Sequence, residues 1–166
     1  KSKVSLPSIN SFESVNIEED FKLDVMDKEK CPFYSGLIIK DIKIKKSSAK
    51  LQNKLKSIGL KPINNIVDIT NFVMHEIGQP LHAFDFDKLK NINVKSLKSG
   101  TKFKTLDDEI IELNSDDLMI CSENKPLCIA GIYGGLDSGV SDSTKNLFIE
   151  SAIFNSVTIR KSSKRH

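Results

Sequence analysis

The chain has no tryptophan, and only three cysteines and three histidines in 166 residues. Cys31, Cys121 and Cys128 are odd in number, have no CxxC spacing and sit near no histidine pair. That pattern speaks against a disulfide framework or a zinc site and fits buried thiols in a reducing compartment. His75 and His166 have no ligand-spaced partners either. No apolar run approaches the roughly 18 residues of a membrane-spanning helix. The opening KSKVSLPSINSFES is polar, so it does not read as a secretory signal. There is no initiating Met, and the chain stops at Arg165-His166 inside a basic helical pattern, so it reads as a piece of a longer chain. An excess of one charge is also missing: 25 basic against 22 acidic residues leave +3. So weak a bias neither demands nor excludes nucleic acid, whereas a dedicated phosphate-binding protein usually carries a denser basic patch.

What is present suffices for a core. Hydrophobic residues make up 39% and charged residues 28%, enough for one domain of ordinary size or two small lobes sharing an interior. Residues 1–30 read as a polar, extended leading segment. Residues 33–46, FYSGLIIKDIKIKK, alternate around Ile39, Ile42 and Ile44, which predicts one strand with a solvated face. The next stretch switches to helical spacing. Ser47 or Ser48 is its N-cap, Leu51, Leu55 and Ile58 share a face, and Gly59 stops it. A second helix runs from Asn64 to Ile77, with Ile63, Ile66, Val67, Val73, Met74 and Ile77 as its apolar stripe and Gly78 as its end.

Beyond Asp87 the pattern is β. Ile92 to Val94 form a strand, residues 102–106 and 109–113 a hairpin through Asp107-Asp108, and residues 118–121 and 127–132 another through Glu123-Asn124-Lys125. Residues 146–152 add a strand, and Asn155 or Ser156 starts a last helix. One β stretch, two helices and then mostly β define an α+β fold and not a doubly wound sheet.

Three stretches stand out chemically. The first is KPINNIVDITN at residues 61–71, continuing to GQPLHAFD at residues 78–85. Asn64, Asn65, Asp68, Thr70 and Asn71 crowd one helix although such side chains compete with its backbone, so their density needs an outside reason. Capping and helix–sheet hydrogen bonds would supply one; substrate contacts would supply another. His82 follows a Pro-Leu rise and precedes an alanine and an aromatic, as a held imidazole would. The second stretch, AGIYGG at residues 130–135, bends the chain as Gly-dense backbone does and can expose N–H groups to a ligand, yet it is neither a Walker loop nor a dinucleotide turn. In the third, FIESA at residues 148–152, Glu150 is a carboxylate inside an apolar strand. It either faces solvent or is buried with a partner.

Together and in this order, these motifs resemble the editing domain of the beta subunit of bacterial phenylalanyl-tRNA synthetases, over residues 31–166. The resemblance implies a β-rich layered domain, with sandwich-like sheets and flanking helices, that hydrolyses tyrosine wrongly esterified to tRNA(Phe). It assigns Glu150 as acceptor for the tyrosine phenol, with the Gly131 backbone beside it and Ala130 at the pocket wall. Thr70, Asn71 and His82 would surround the amino acid and the terminal adenosine, His82 and Thr70 being the catalytic candidates. Lys61 stands where the family often has Arg, which keeps the charge but loses the bidentate fork. The pocket is expected between the Gly131 turn and the helix carrying Thr70 and Asn71. By the same resemblance the domain needs no cofactor or metal, while ATP and Mg bind elsewhere in the full synthetase. Its partners are the tRNA(Phe) acceptor end and the synthetase alpha subunit of a heterotetramer, in the cytoplasm and away from membranes. A non-catalytic tRNA-positioning module with a decayed pocket is the alternative from another class, and a free-standing acyl-ester hydrolase is a further one.

Overall fold

A computed structural model describes residues 21–166, together with Ser5, residues 8–10 and Glu13. Most of the leading segment read from the sequence therefore lies outside the described residues.

Among the described residues, ten strands and three α-helices follow one another as β1 (Leu23–Val25), β2 (Phe33–Ile39), α1 (Ala49–Ser57), α2 (Asn65–Ile77), β3 (Leu81–Asp85), β4 (Ile92–Ser96), β5 (Lys102–Lys104), β6 (Ile110–Glu112), β7 (Leu118–Ser122), β8 (Lys125–Ile129), β9 (Tyr133–Gly134), β10 (Leu147–Ile153) and α3 (Ser156–Arg165). The fold is mixed α+β, as expected. The strands build a five-stranded sheet in the order β1-β4-β7-β8-β9, a three-stranded sheet β2-β10-β3, and the β5-β6 hairpin. Every pairing between strands is antiparallel except β1 with β4.

The main core lies between the two larger sheets, where Phe84 and Phe148 meet Ile92, Val94, Leu118, Ile120, Leu127 and Cys128. Successive side chains of a strand point to opposite faces, so one row of β10 carries Phe148, Glu150 and Ala152. Register places Phe84 and His82 beside the first two on β3, and Ile38, Gly36 and Tyr34 beside all three on β2. Because Phe148 faces the core, Glu150 two residues on must face inward as well. Gly36 makes this row possible: a Cβ there would lie 2.1 Å from Phe148 Cζ. Gly36→Ala should therefore push the Phe148 ring out of its seat and cost about 1–3 kcal/mol in urea denaturation, the usual penalty of overpacking. Wild-type stability in that variant would show that the ring has room to move.

The two early helices match the sequence pattern closely. Ser48 caps α1 by accepting from the Leu51 N–H, and Gly59 leaves it at φ 85°. Asn64 caps α2 through the N–H groups of Ile66 and Val67, and Gly78 ends it in the left-handed region. Buried Asp68 accepts from Ser47 Oγ at 2.5 Å and from the Ile63 N–H at 2.8 Å, tying the two helices together. The apolar stripe of α2 is less buried than its spacing predicts. Ile66 is buried, yet Ile63 and Ile77 are 67% and 48% exposed.

Two β expectations need correction. The strand expected over residues 33–46 stops at Ile39, because Asp41 turns to φ 56°. Ile42 and Ile44 lie in irregular chain held by Asn65, which accepts from the Lys45 N–H at 2.9 Å and donates to the Lys43 carbonyl at 3.0 Å. Conversely, Leu23 to Val25, inside the stretch read as a leading segment, pair as strand β1 at the edge of the large sheet.

Candidate functional site

A cavity of about 610 Å³ opens between β3, β10, the turn after β8 and α3. β8 delivers the chain to Ala130, fully buried and bonded through its N–H to the Leu118 carbonyl, and then to Gly131 at φ 67°. A Cβ on Gly131 would come within 3.3 Å of Phe154 and 3.5 Å of Ile159, so glycine both permits the turn and lets it close against α3.

Glu150 lines the cavity from β10 and is only 6% exposed. Burial pushes its carboxyl up to about 7, opposed by a hydrogen bond that Tyr34 Oη donates to Oε2 at 2.8 Å. Directly across the β3–β10 ladder stands His82, its ring set edge-on to Phe84 at 4.5 Å between centroids. Burial lowers its pKa from the ordinary value, so the imidazole is neutral at pH 7. His82 Nε2 is buried and has no hydrogen-bond partner among the described residues. Cys128 also reaches the cavity, but burial, then the neighbouring Glu150 charge, push its thiol well up. A thiol so held is no nucleophile. Arg160, from α3, is the one permanently cationic side chain among the described residues lining the space.

The α3 wall is fastened at both ends. Asn155 caps its start by accepting from the N–H groups of Val157 and Thr158. At its far end the fully buried carboxylate of Asp117 accepts from Ser162 Oγ at 2.7 Å, Arg165 Nη1 at 2.5 Å, His166 Nε2 at 2.8 Å and the Asn114 N–H at 2.7 Å. Burial alone would raise the Asp117 pKa. The hydrogen bonds from His166, Asn114 and Ser162 outweigh it and hold the group below the ordinary carboxylate value.

Of the residues expected at the site, Glu150, Gly131 and His82 come together. Ala130 lies beneath the turn, buried in the core instead of forming the wall. Thr70, Asn71 and Lys61 do not line the cavity, and the wall expected from their helix is supplied by α3. The reason is the pleat: Glu150 and His82 point into the space between the sheets, to whose core α2 contributes no side chain. α2 instead packs on β3, where the Thr70 hydroxyl donates to the Val67 carbonyl at 2.9 Å. Much of the polar density of this helix is thus structural. Sequence reasoning missed Tyr34, Arg160 and Asp117. The one usable signal was composition, since the chain has two tyrosines and both border this site, Tyr34 through Glu150 and Tyr133 in the lining.

Among the described residues no group of three or more His, Cys, Asp or Glu could hold a metal ion, and no helix is long and apolar enough to cross a membrane.

Residues 30–166 match the B3/4 domain family, and the chain belongs to it. Its homologues are phenylalanine–tRNA ligase beta subunits. That of Bacteroides fragilis is 48% identical over 162 residues, covering 96% of this chain and 20% of the relative. The Porphyromonas gingivalis subunit is 46% identical over 98% of the chain and 20% of the relative, and the Aquifex aeolicus subunit 46% over 88% and 19%. The chain thus spans about a fifth of the length of these relatives. An N-terminal fragment of the phenylalanyl-tRNA synthetase beta subunit from Pyrococcus horikoshii shares the fold, with a TM-score of 0.60 at 17% identity over 84% of this chain and 45% of that one.

Proposed function

We propose that this chain is the editing domain of a phenylalanyl-tRNA synthetase beta subunit, hydrolysing tyrosine misacylated onto tRNA(Phe). The observation that carries the reading is Glu150, a nearly buried carboxylate in a cavity of about 610 Å³, within the range of roughly 300–1,000 Å³ usual for small-molecule sites. A synthetic pocket built for phenylalanine rejects an isostere with an added hydroxyl by only about 100-fold. A second pocket built around a buried acceptor does the reverse, because tyrosine satisfies the acceptor and phenylalanine leaves it short of a donor.

An aminoacyl ester is already activated, so the site needs a placed water and stabilisation of the developing oxyanion more than a strong nucleophile. His82 is the group we assign to orienting that water or the ribose, since its neutral ring lines the cavity across from Glu150. Arg160 would face the phosphate side of the acceptor end. In this reading the domain acts in the cytoplasm, beside an alpha subunit, while ATP and Mg serve the synthetic site elsewhere. Thr70, Asn71 and Lys61 do not line the cavity.

Single-turnover deacylation tests the reading. The complete synthetase carrying this chain should hydrolyse Tyr-tRNA(Phe) faster than Phe-tRNA(Phe) and faster than the uncatalysed ester. Hydrolysis at the uncatalysed rate would instead make the domain a tRNA-positioning module.

A further inference from the structure

The bond between Tyr34 and Glu150 joins residues on different strands, and it takes one oxygen of the carboxylate. Tyr34 stands on β2 opposite Ala152, one step diagonally from Glu150, which stands opposite Gly36. Its phenol therefore reaches diagonally along the sheet face to Glu150, beside the Phe148 ring that fills the space over Gly36. Oε1 of Glu150 has no hydrogen bond from the described residues, and Glu150 lines the cavity. The carboxylate is thus divided: one oxygen is held by the protein and one is open to a ligand.

We propose that Tyr34 is a positioning residue for tyrosine recognition, fixing the orientation of Glu150 and favouring its ionised form so that Oε1 can accept the phenol of the misacylated amino acid. The proposal rests on the hydrolase reading above and names what makes its central carboxylate usable. Buried alone, a carboxyl stays protonated, and a neutral carboxyl already carrying its own proton discriminates poorly between a phenol and a phenyl ring.

Tyr34 from β2, His82 from β3, Cys128 from β8 and Cys31 from the turn before β2 lie about Glu150, and Arg160 of α3 lines the same cavity. The phenol and both thiols stay protonated, since burial and then the Glu150 charge raise their pKa values, that of Cys31 to about 11. His82 stays neutral through burial. Among the described residues only Tyr34 donates a hydrogen bond to the carboxylate; burial favours the acid form, and that bond opposes it.

The test has two arms. In the chain itself, the carboxyl stretch assigned by difference against Glu150→Gln is followed in the infrared as a function of pH. Its midpoint should lie near 7 in the native protein. In Tyr34→Phe it should rise by about one to two pH units, the equivalent of one hydrogen bond to a charged group. Site-specific 3-fluorotyrosine at position 34, nearly isosteric and a stronger donor, should lower it, which keeps the proposal testable if the Phe variant folds poorly. In the complete synthetase, the acid limb of Tyr-tRNA(Phe) deacylation should move with the infrared midpoint. A Tyr34→Phe enzyme that is slower by the same factor at every pH, with an unmoved midpoint, would overturn the proposal and leave Tyr34 a packing residue. If the midpoints move as expected but the complete enzyme releases no tyrosine at any pH, it is the hydrolase reading that falls.

Discussion

Glu150→Ala is expected to slow deacylation of Tyr-tRNA(Phe) by about 10–200-fold, the kinetic equivalent of a charge-assisted hydrogen bond worth ~1.5–3 kcal/mol in the transition state. Only one oxygen is at stake, because Tyr34 already satisfies Oε2. That places the expected loss toward the lower end of the range. The preference for tyrosine over phenylalanine should shrink in parallel, since the cost of leaving a buried acceptor without its ligand vanishes with the carboxylate. His82→Ala should act differently and slow both esters alike, because the imidazole serves the water or ribose common to both. Single-turnover rates on the two esters separate the roles. Equal slowing of both by Glu150→Ala would move the carboxylate from recognition to chemistry.

A loss of similar weight, but in stability, is expected at Asp117. Asp117→Ala removes the acceptor shared by Ser162, Arg165, His166 and the Asn114 N–H. Breaking a buried charge pair costs about 3–5 kcal/mol. The lower part of that range applies, because the Arg165 side chain is 34% exposed and its share is screened. The pH dependence has a definite sign. A carboxylate held below its unfolded pKa contributes stability that is fully present above the unfolded value and is lost as pH falls through the folded value. The variant should lack that acidic decline. Urea melts across acidic pH provide the check, and a loss under about 1 kcal/mol near neutrality would show that α3 is held by packing alone. Because α3 forms a wall of the cavity, the same substitution should weaken substrate positioning.

What the sequence made legible was local. Ser48, Asn64, Gly59 and Gly78 mark the helix ends through backbone chemistry confined to a few neighbours, so caps and stops can be read along the chain. Glu150 was visible as a carboxylate in an apolar strand, and alternation from Phe148 would have oriented it inward. Tyr34 was not visible, because its partner lies 116 residues away and the contact depends on register between strands. Asp117 was hidden for the same reason, its side-chain partners lying 45 to 49 residues on. The short strand β1 carries too little alternation to be distinguished from a polar leader, and the overlong strand after Phe33 failed because one residue, Asp41, adopts a left-handed turn. Motif matching grouped Thr70, Asn71 and Lys61 with the site, while the pleat and the packing of α2 keep them out of the cavity.

The central position of β10 in its sheet also sets the order in which the molecule can be assembled. β2 and β3 pair with β10 and not with each other, and β10 is the last strand in the chain. During synthesis both must wait as unpaired ribbons until residue 153 has emerged, whereas the β7–β8 hairpin closes across a two-residue turn as soon as it is made. The waiting β2 displays Phe33, Leu37 and Ile39, apolar and exposed even in the finished fold, and is open to pairing with another nascent chain. When β10 docks, it brings Glu150 to Tyr34 and His82 in the same event, so no partly built form of the cavity precedes the closed sheet.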